Sequence, residues 1–227
     1  MCRQLTCAKT YGVMFNCKHP ETMPDIHNIG RPTFQARVVA LMQRHSSDRG
    51  EDHFMDVTRH SMMLHDVLKP RHQLDSRFRV VLWAAAMLHD IGADPKLGRI
   101  PTSHAWRSAD KILQDQVGDE DIPPLEIAIV ASLHRHEGPD EEDILGMTYQ
   151  SLDHFITPEL LKLAAILRVA DGLDRYEEGR MTKFTLIGDA ILVQGSGHGF
   201  ANNFEHGVRK SGLLKRELGL ELCRKSG

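Results

Sequence analysis

One segment constrains this chain more than any other. Val80-Val81-Leu82-Trp83-Ala84-Ala85-Ala86-Met87-Leu88 is apolar without interruption and runs straight into His89-Asp90. A helix with no polar face belongs in the middle of a core, so the chain must supply other elements to surround it. A carboxylate at the end of such a helix is costly unless it is paired or bound to a metal. Fold and chemistry therefore meet at residues 89–90.

The rest of the sequence supplies the surroundings. Pro32 opens a first helix reaching about His45, and Ser46-Ser47-Asp48-Arg49-Gly50 reads as a loop. A second helix is expected over 51–69, with Val57, Leu64 and Leu68 at helical spacing and Pro70 beyond its end. The apolar helix itself is expected over about 75–90, stopped by Gly92 and Pro95. A fourth runs from Ser103 to about Gln116, and a fifth from Pro123-Pro124 to near His136. An acidic loop at 140–143 follows, then a long helix from Pro158 to about Tyr176 with Gly179 beyond it. The pattern then changes. Phe184 to Ile187 and Ala190 to Val193 flank Gly188-Asp189, which predicts a β-hairpin. A last helix over 201–216 is expected before Leu218-Gly219-Leu220 closes the chain. The fold class is mainly α, a helical bundle with a small C-terminal α/β appendage of hairpin plus helix. The expected divisions are an irregular arm over 1–30, the helical domain over 31–180 and the appendage over 181–227.

Composition narrows the functional classes. The 227 residues carry a formal net charge of −3 and no dense basic block, so neither nucleic acid nor membrane is required as a partner. No run approaches the roughly 18 apolar residues that a membrane span needs. The N-terminus lacks a signal-peptide layout, which gives a cytoplasmic expectation. Four cysteines are too few and too scattered for a disulfide scaffold. Cys2, Cys7 and Cys17 lie near His19, but their spacing fits no familiar zinc pattern, and reduced thiols in a loose tail are expected. The unusual number is fourteen histidines, many in or beside apolar helical patterns.

Three positions stand out. His89-Asp90 can both point at one ion, because the last turn of a helix frees side-chain directions; imidazole and carboxylate together suit Mn, Fe, Co, Ni or Zn. Asp171 ends a stripe of Leu160, Ala164 and Leu167, and Arg175 one turn later offers an ordinary ion pair in place of a metal. His53 begins an inward face that continues through Val57 and Leu64; alone it would read as a satisfied core histidine. His134 and His136 lie about 200° apart on a helix, so only one of them can face a given site. Spacing does not choose between them.

The order His53, His89-Asp90, Asp171, each on a separate helix, resembles the signature of the HD superfamily of phosphohydrolases. More closely, the chain is similar to the C-terminal HD domain of exopolyphosphatase / guanosine pentaphosphatase proteins over about 33–220. The matching stretches are His53-Phe54-Met55-Asp56-Val57 with Leu64-His65-Asp66, then Trp83 to Gly92, His104-Ala105-Trp106-Arg107-Ser108, Leu133-His134-Arg135, and Leu167 to Arg175. The resemblance implies an HD-type helical bundle in which His53, His89, Asp90 and Asp171 hold a divalent metal. His104 and His134 match positions that hold a second metal in dinuclear members. The cofactor expected is thus one or two ions of Mn, Fe, Co, Ni, Mg or Zn.

The implied activity is hydrolysis of a phosphoester, of a nucleotide or a related small phosphorylated molecule, by metal-activated water. Beside Asp90, the catalytic candidates are the cations Lys96, Arg107, Lys111 and Arg175, with Arg135 a further one; Arg107 and Lys111 stand at i and i+4 on one helix. Asp94 is a minor candidate for carrying a proton. The expected partners are a phosphorylated small molecule and, at most, a second copy of the chain. In the long relatives a separate ATPase-like module performs the polyphosphate chemistry, and nothing here resembles its glycine-rich phosphate loops, so activity is expected from the HD site. The alternative is a non-catalytic metal- or nucleotide-binding HD module that regulates or docks on another protein, the hairpin and last helix forming its docking surface.

Overall fold

A computed structural model describes residues 31–45, 50–93, 103–135, 155–175 and 179–225. Six α-helices form the bundle: α1 (Pro32–His45), α2 (Gly50–His72), α3 (Ser76–Leu88), α4 (Ser103–Gln114), α5 (Pro124–Ser132) and α6 (Pro158–Gly172), with a 3₁₀ turn (Leu133–Arg135) after α5. The C-terminal lobe follows as β1 (Arg180–Ile187), β2 (Ala190–Ser196), α7 (Phe200–Arg209), α8 (Gly212–Leu218) and β3 (Glu221–Arg224). The protein is mainly α with a small C-terminal α/β appendage, as its sequence pattern predicts.

Helix α3 is the axis of the bundle. Val81 through Leu88 are all buried, and the helix packs against α1, α2, α5 and α6. Asp75 starts it by accepting hydrogen bonds on its carboxylate from the main-chain N–H of Arg77 and Phe78. Ala84-Ala85-Ala86 keep its surface thin, which lets neighbouring backbones come close. Trp83 fills the wider gap towards α1, its ring edge-on to Phe34 at 6.2 Å. Helix α6 is the second spine, buried from Leu163 through Gly172, and Thr157 caps its start with Pro158 in the first turn.

The observed boundaries differ from the expected ones in instructive places. Helix α2 does not end before Pro70 but continues to His72. A proline removes one main-chain donor, here the one that would meet the Asp66 carbonyl. The His72 imidazole ties down the turn that follows: Nε2 donates to the His65 carbonyl at 2.9 Å, and Nδ1 accepts from the Leu74 N–H at 2.9 Å. The stop is Gln73, in the left-handed region at φ 56°. Helix α5 tightens into the 3₁₀ turn at Leu133, so a helical wheel does not apply to His134. Helix α6 ends at Gly172, short of Tyr176.

The hairpin forms around Gly188-Asp189 and is longer than predicted, pairing Arg180 with Ser196 at its far end. The single terminal helix expected over 201–216 is instead two, broken at Lys210-Ser211. Gly219, at φ 66°, ends α8 and turns the chain into β3, which pairs parallel to β2 and gives the order β1-β2-β3. Among the described residues no helix is long and apolar enough to cross a membrane. Cys2, Cys7, Cys17, His19, the 46–49 loop, the acidic loop and His136 lie outside the described residues.

Candidate metal centre

Five segment ends converge at one end of α3. His53 stands in the first turn of α2, His89 caps α3, and Asp90 sits in the turn after it. His104 begins α4, His134 lies in the 3₁₀ turn, and Asp171 is in the last turn of α6. His89 and His134 are fully buried, and Asp90 and His104 nearly so. The turn after His89-Asp90 is shaped by Gly92. A Cβ there would sit 2.3 Å from the His104 carbonyl oxygen and 2.4 Å from the Ser108 nitrogen, so only glycine lets α4 come this close. The Gly92 N–H donates to Ser108 Oγ at 2.9 Å. This contact brings His104 up to Asp90.

Asp90 is the hub. Its Oδ1 lies 3.1 Å from Nε2 of His104 and 3.1 Å from Nε2 of His134. Its Oδ2 lies 3.7 Å from Nε2 of His53 and 3.8 Å from Nε2 of His89. Asp171 Oδ1 is 3.6 Å and 3.7 Å from the same two nitrogens. The far side of each ring decides what Nε2 offers. His89 Nδ1 donates to the Ala86 carbonyl at 2.8 Å and His134 Nδ1 to the Ala131 carbonyl at 2.6 Å. His53 Nδ1 donates to Asp174 Oδ2 at 2.8 Å. Carbonyl and carboxylate oxygens only accept, so Nδ1 carries a proton, and in the neutral ring Nε2 has its lone pair inward. The Nε2 atoms of His53, His89, His104 and His134 are buried and make no hydrogen bond of proper geometry.

Buried nitrogens without partners, gathered around two carboxylates, fit a divalent cation. Two overlapping groups, His53-His89-Asp90 and Asp90-His104-His134, have ligand atoms mutually within 4.8 Å, and they share Asp90. Imidazole and carboxylate donors together suit transition metals. The electrostatics agree. Burial alone would raise the Asp90 carboxyl, but His89, His104, His134 and His53 outweigh it and hold it well below the usual carboxylate range. At Asp171 burial is likewise outweighed, chiefly by Lys210, and the carboxylate stays ionised. His53 would be pushed down by burial, yet Asp174, Asp90 and Asp171 raise it to about 10. The pocket therefore demands a positive charge, which a proton or a metal ion can supply.

Residues 50–176, more than half of the chain, match the family described as HD domain. The chain belongs to that family. HD domains are in general metal-dependent phosphohydrolases that bind divalent metals, and the histidine–aspartate groups above could hold such an ion. No curated protein matches the chain.

Two of the expected cations are bonded to the turn that follows α3. Arg107 Nε donates to the Gly92 carbonyl at 2.8 Å. Lys111 Nζ donates to the Ile91 carbonyl at 3.0 Å and lies 3.0 Å from His45 Nδ1. Both are tied to the turn that carries Asp90. Arg175 is exposed, and the cation on Asp171 is Lys210, whose Nζ bonds Oδ2. The i, i+4 pairing of Asp171 with Arg175 fails because the helix ends at Gly172. Arg135 is half-buried beside His134, and Lys96 and Asp94 lie outside the described residues.

Three residues escaped the sequence reading. Asp174 orients His53, and burial raises its carboxyl to about 6 against the opposing pull of His53. Its signal was a second acid three residues after Asp171 in a stretch already noted for its resemblance. Arg168, buried on α6, donates Nε to the Leu133 carbonyl and so fixes the 3₁₀ turn next to His134. Burial lowers its guanidinium to about 10. Lys210 had no local signal.

Proposed function

We propose that this HD domain is a metal-dependent phosphohydrolase that cleaves a phosphoester of a small phosphorylated molecule, nucleotides being the first class to try. The observation that carries the reading is the set of inward, unpartnered Nε2 atoms around the Asp90 and Asp171 carboxylates. His53, His89, Asp90 and Asp171 would hold one divalent ion, and His104 and His134, with Asp90 between, a second. A bound ion of this kind lowers the pKa of water and neutralises phosphate charge.

The chain's own residues prepare the place. Asp174 and the Ala86 and Ala131 carbonyls fix three imidazoles in one tautomer. Arg107 and Lys111 brace the turn bearing Asp90. Kinship with the C-terminal HD domain of exopolyphosphatase / guanosine pentaphosphatase proteins is part of the proposal, supported by the order of matching stretches from His53 to Arg175.

Elemental analysis of the purified protein, joined to a phosphohydrolase screen in Mn, Co, Ni and Mg, tests the reading. One or two ions per chain with turnover of a phosphoester supports it. Bound metal without turnover on any phosphoester would leave the non-catalytic binding module. A protein that takes up no metal under any loading condition would sink the metal centre itself.

A further inference from the structure

The cation on Asp171 comes from outside the bundle. Helix α7 of the C-terminal lobe crosses the end of α6 with glycine against glycine: a Cβ at Gly172 would lie 2.9 Å from both the Gly207 Cα and the His206 carbonyl oxygen. The two backbones therefore touch. Asn203, fully buried on α7, donates Nδ2 to the Gly179 carbonyl at 3.1 Å and fixes the helix to the segment entering β1. Helix α8 packs on α6 as well. At the end of α7 the Lys210 side chain, 8% exposed, turns inward and bonds Asp171 Oδ2 through Nζ. The other oxygen, Oδ1, is the one near His53 and His89.

A buried lysine is costly unless it is paired, and ordering its long stem adds to that cost. Close helix crossing, buried amide and buried ammonium together form a built contact. We propose that Lys210 is a positioning residue of the metal centre: it holds Oδ2 of Asp171 so that Oδ1 faces His53 and His89. The C-terminal lobe is then a working part of the centre. The inference rests on the metal-centre reading above. A carboxylate ligand with no outer partner can rotate, and outer partners of metal ligands typically matter 10–100-fold in affinity (roughly). The rival physical effect has the opposite sign, since an ammonium could compete with the cation for the same carboxylate.

Titration of the metal-stripped full chain with Mn(II) and Co(II), in wild-type protein and the Lys210→Met and Lys210→Arg variants, separates them. The expected result is metal binding weakened about 10–100-fold in Lys210→Met, an altered Co(II) visible spectrum, and partial recovery of both in Lys210→Arg. Gly172→Ala, which pushes α7 away while leaving the lysine in the sequence, should weaken binding in the same direction. Circular dichroism checks that each variant is folded. If Lys210→Met does not fold, Lys210→Leu, which likewise carries no donor, reads the same quantity. Unchanged or tighter binding in a folded Met or Leu variant overturns the inference while leaving the metal centre standing. A wild-type chain that takes up neither ion overturns both.

Discussion

Helix α2 carries histidines to two different places. His53, at its start, joins His89, His104 and His134 around Asp90 and Asp171. His60, His65 and His72 lie further along the same helix. Midway, His60 packs its ring on Phe184 and its Nε2 accepts from Arg59 at 3.0 Å; at the far end the His65 and His72 rings lie 4.4 Å apart. His72 serves the backbone past Pro70, and His65 Nδ1 donates to Asp66 Oδ1 at 3.2 Å. This second group also has orphaned nitrogens, His60 Nδ1 and His65 Nε2. Among the described residues, however, they converge on no ligand group, whereas the first group converges twice on Asp90. Burial and a missing partner do not make a metal site. Several imidazole nitrogens meeting at one carboxylate mark a candidate for one.

The sharpest way to break this comparison is to remove the hub. Asp90→Ala should abolish metal content and hydrolysis, a loss of several orders of magnitude, while the protein stays helical. His65→Gln, in the other group, should leave metal content at the wild-type level. Elemental analysis of both variants checks it. Full metal content in Asp90→Ala, or metal lost from His65→Gln, would show that the two groups had been assigned the wrong way round.

Much of this was legible in the chain itself. The bundle followed from α3, because a helix apolar all round has one place to go, and its partners announced themselves by caps and prolines. His89 and Asp90 stood out because they end an apolar helix; His53 and Asp171, each with an ordinary reading alone, were singled out by the ordered set and the resemblance it carries. What stayed hidden depends on contacts distant in sequence. Strand β3 is four residues long and pairs parallel to β2, which no local pattern reveals. Lys210 meets Asp171 across 39 residues, so the neighbouring Arg175 looked the better partner. Pro70 read as a stop because the His72 bonds that tie down the turn beyond it have no local signature.

A smaller effect is expected one step out from the ligands. Asp174 touches His53 from behind, at Nδ1, and fixes which nitrogen faces inward. Asp174→Ala should weaken metal binding about 10-fold without removing it. Nothing comparable should follow from Asp66→Ala, although Asp66 also accepts from a histidine Nδ1. Parallel Mn(II) titrations of the two variants give the contrast directly, and equal effects would erase the distinction between the groups.

The second group should show itself in stability instead. His60 is fully buried, and burial, with the Arg59 charge added, holds its pKa well below the ordinary 6.5. The unfolded chain takes up a proton near 6.5 and the folded chain does not, so stability is fully present above that pH and falls as pH drops below it. The slope approaches ~1.4 kcal/mol per pH unit for one such group. Urea unfolding of metal-free protein at pH 7.5 and 5.5 should show a loss about 1 kcal/mol smaller in His60→Gln than in wild type. An identical loss in both would place the acid sensitivity elsewhere.

The smallest effect belongs to the outermost charge pair. Arg79 grips Asp66 with two hydrogen bonds, Nε to Oδ1 at 2.9 Å and a terminal nitrogen to Oδ2 at 3.0 Å. Partial burial works against the Asp66 charge, but His65 and Arg79 outweigh it and hold the carboxyl below its usual range. The Asp66 side chain is still 56% exposed, so water and salt screen the pair. A double-mutant cycle of Asp66→Ala and Arg79→Ala should give a coupling of about 0.2–1 kcal/mol in dilute buffer, shrinking in 1 M salt. Because the carboxyl is held low, this contribution is present above the ordinary aspartate range and is lost as pH falls from there through the lowered range of the folded protein. A coupling of several kcal/mol that survives salt would mean that the pair anchors His65 as firmly as Asp174 anchors His53. The two ends of α2 would then differ in what converges there, and not in how rigidly their imidazoles are held.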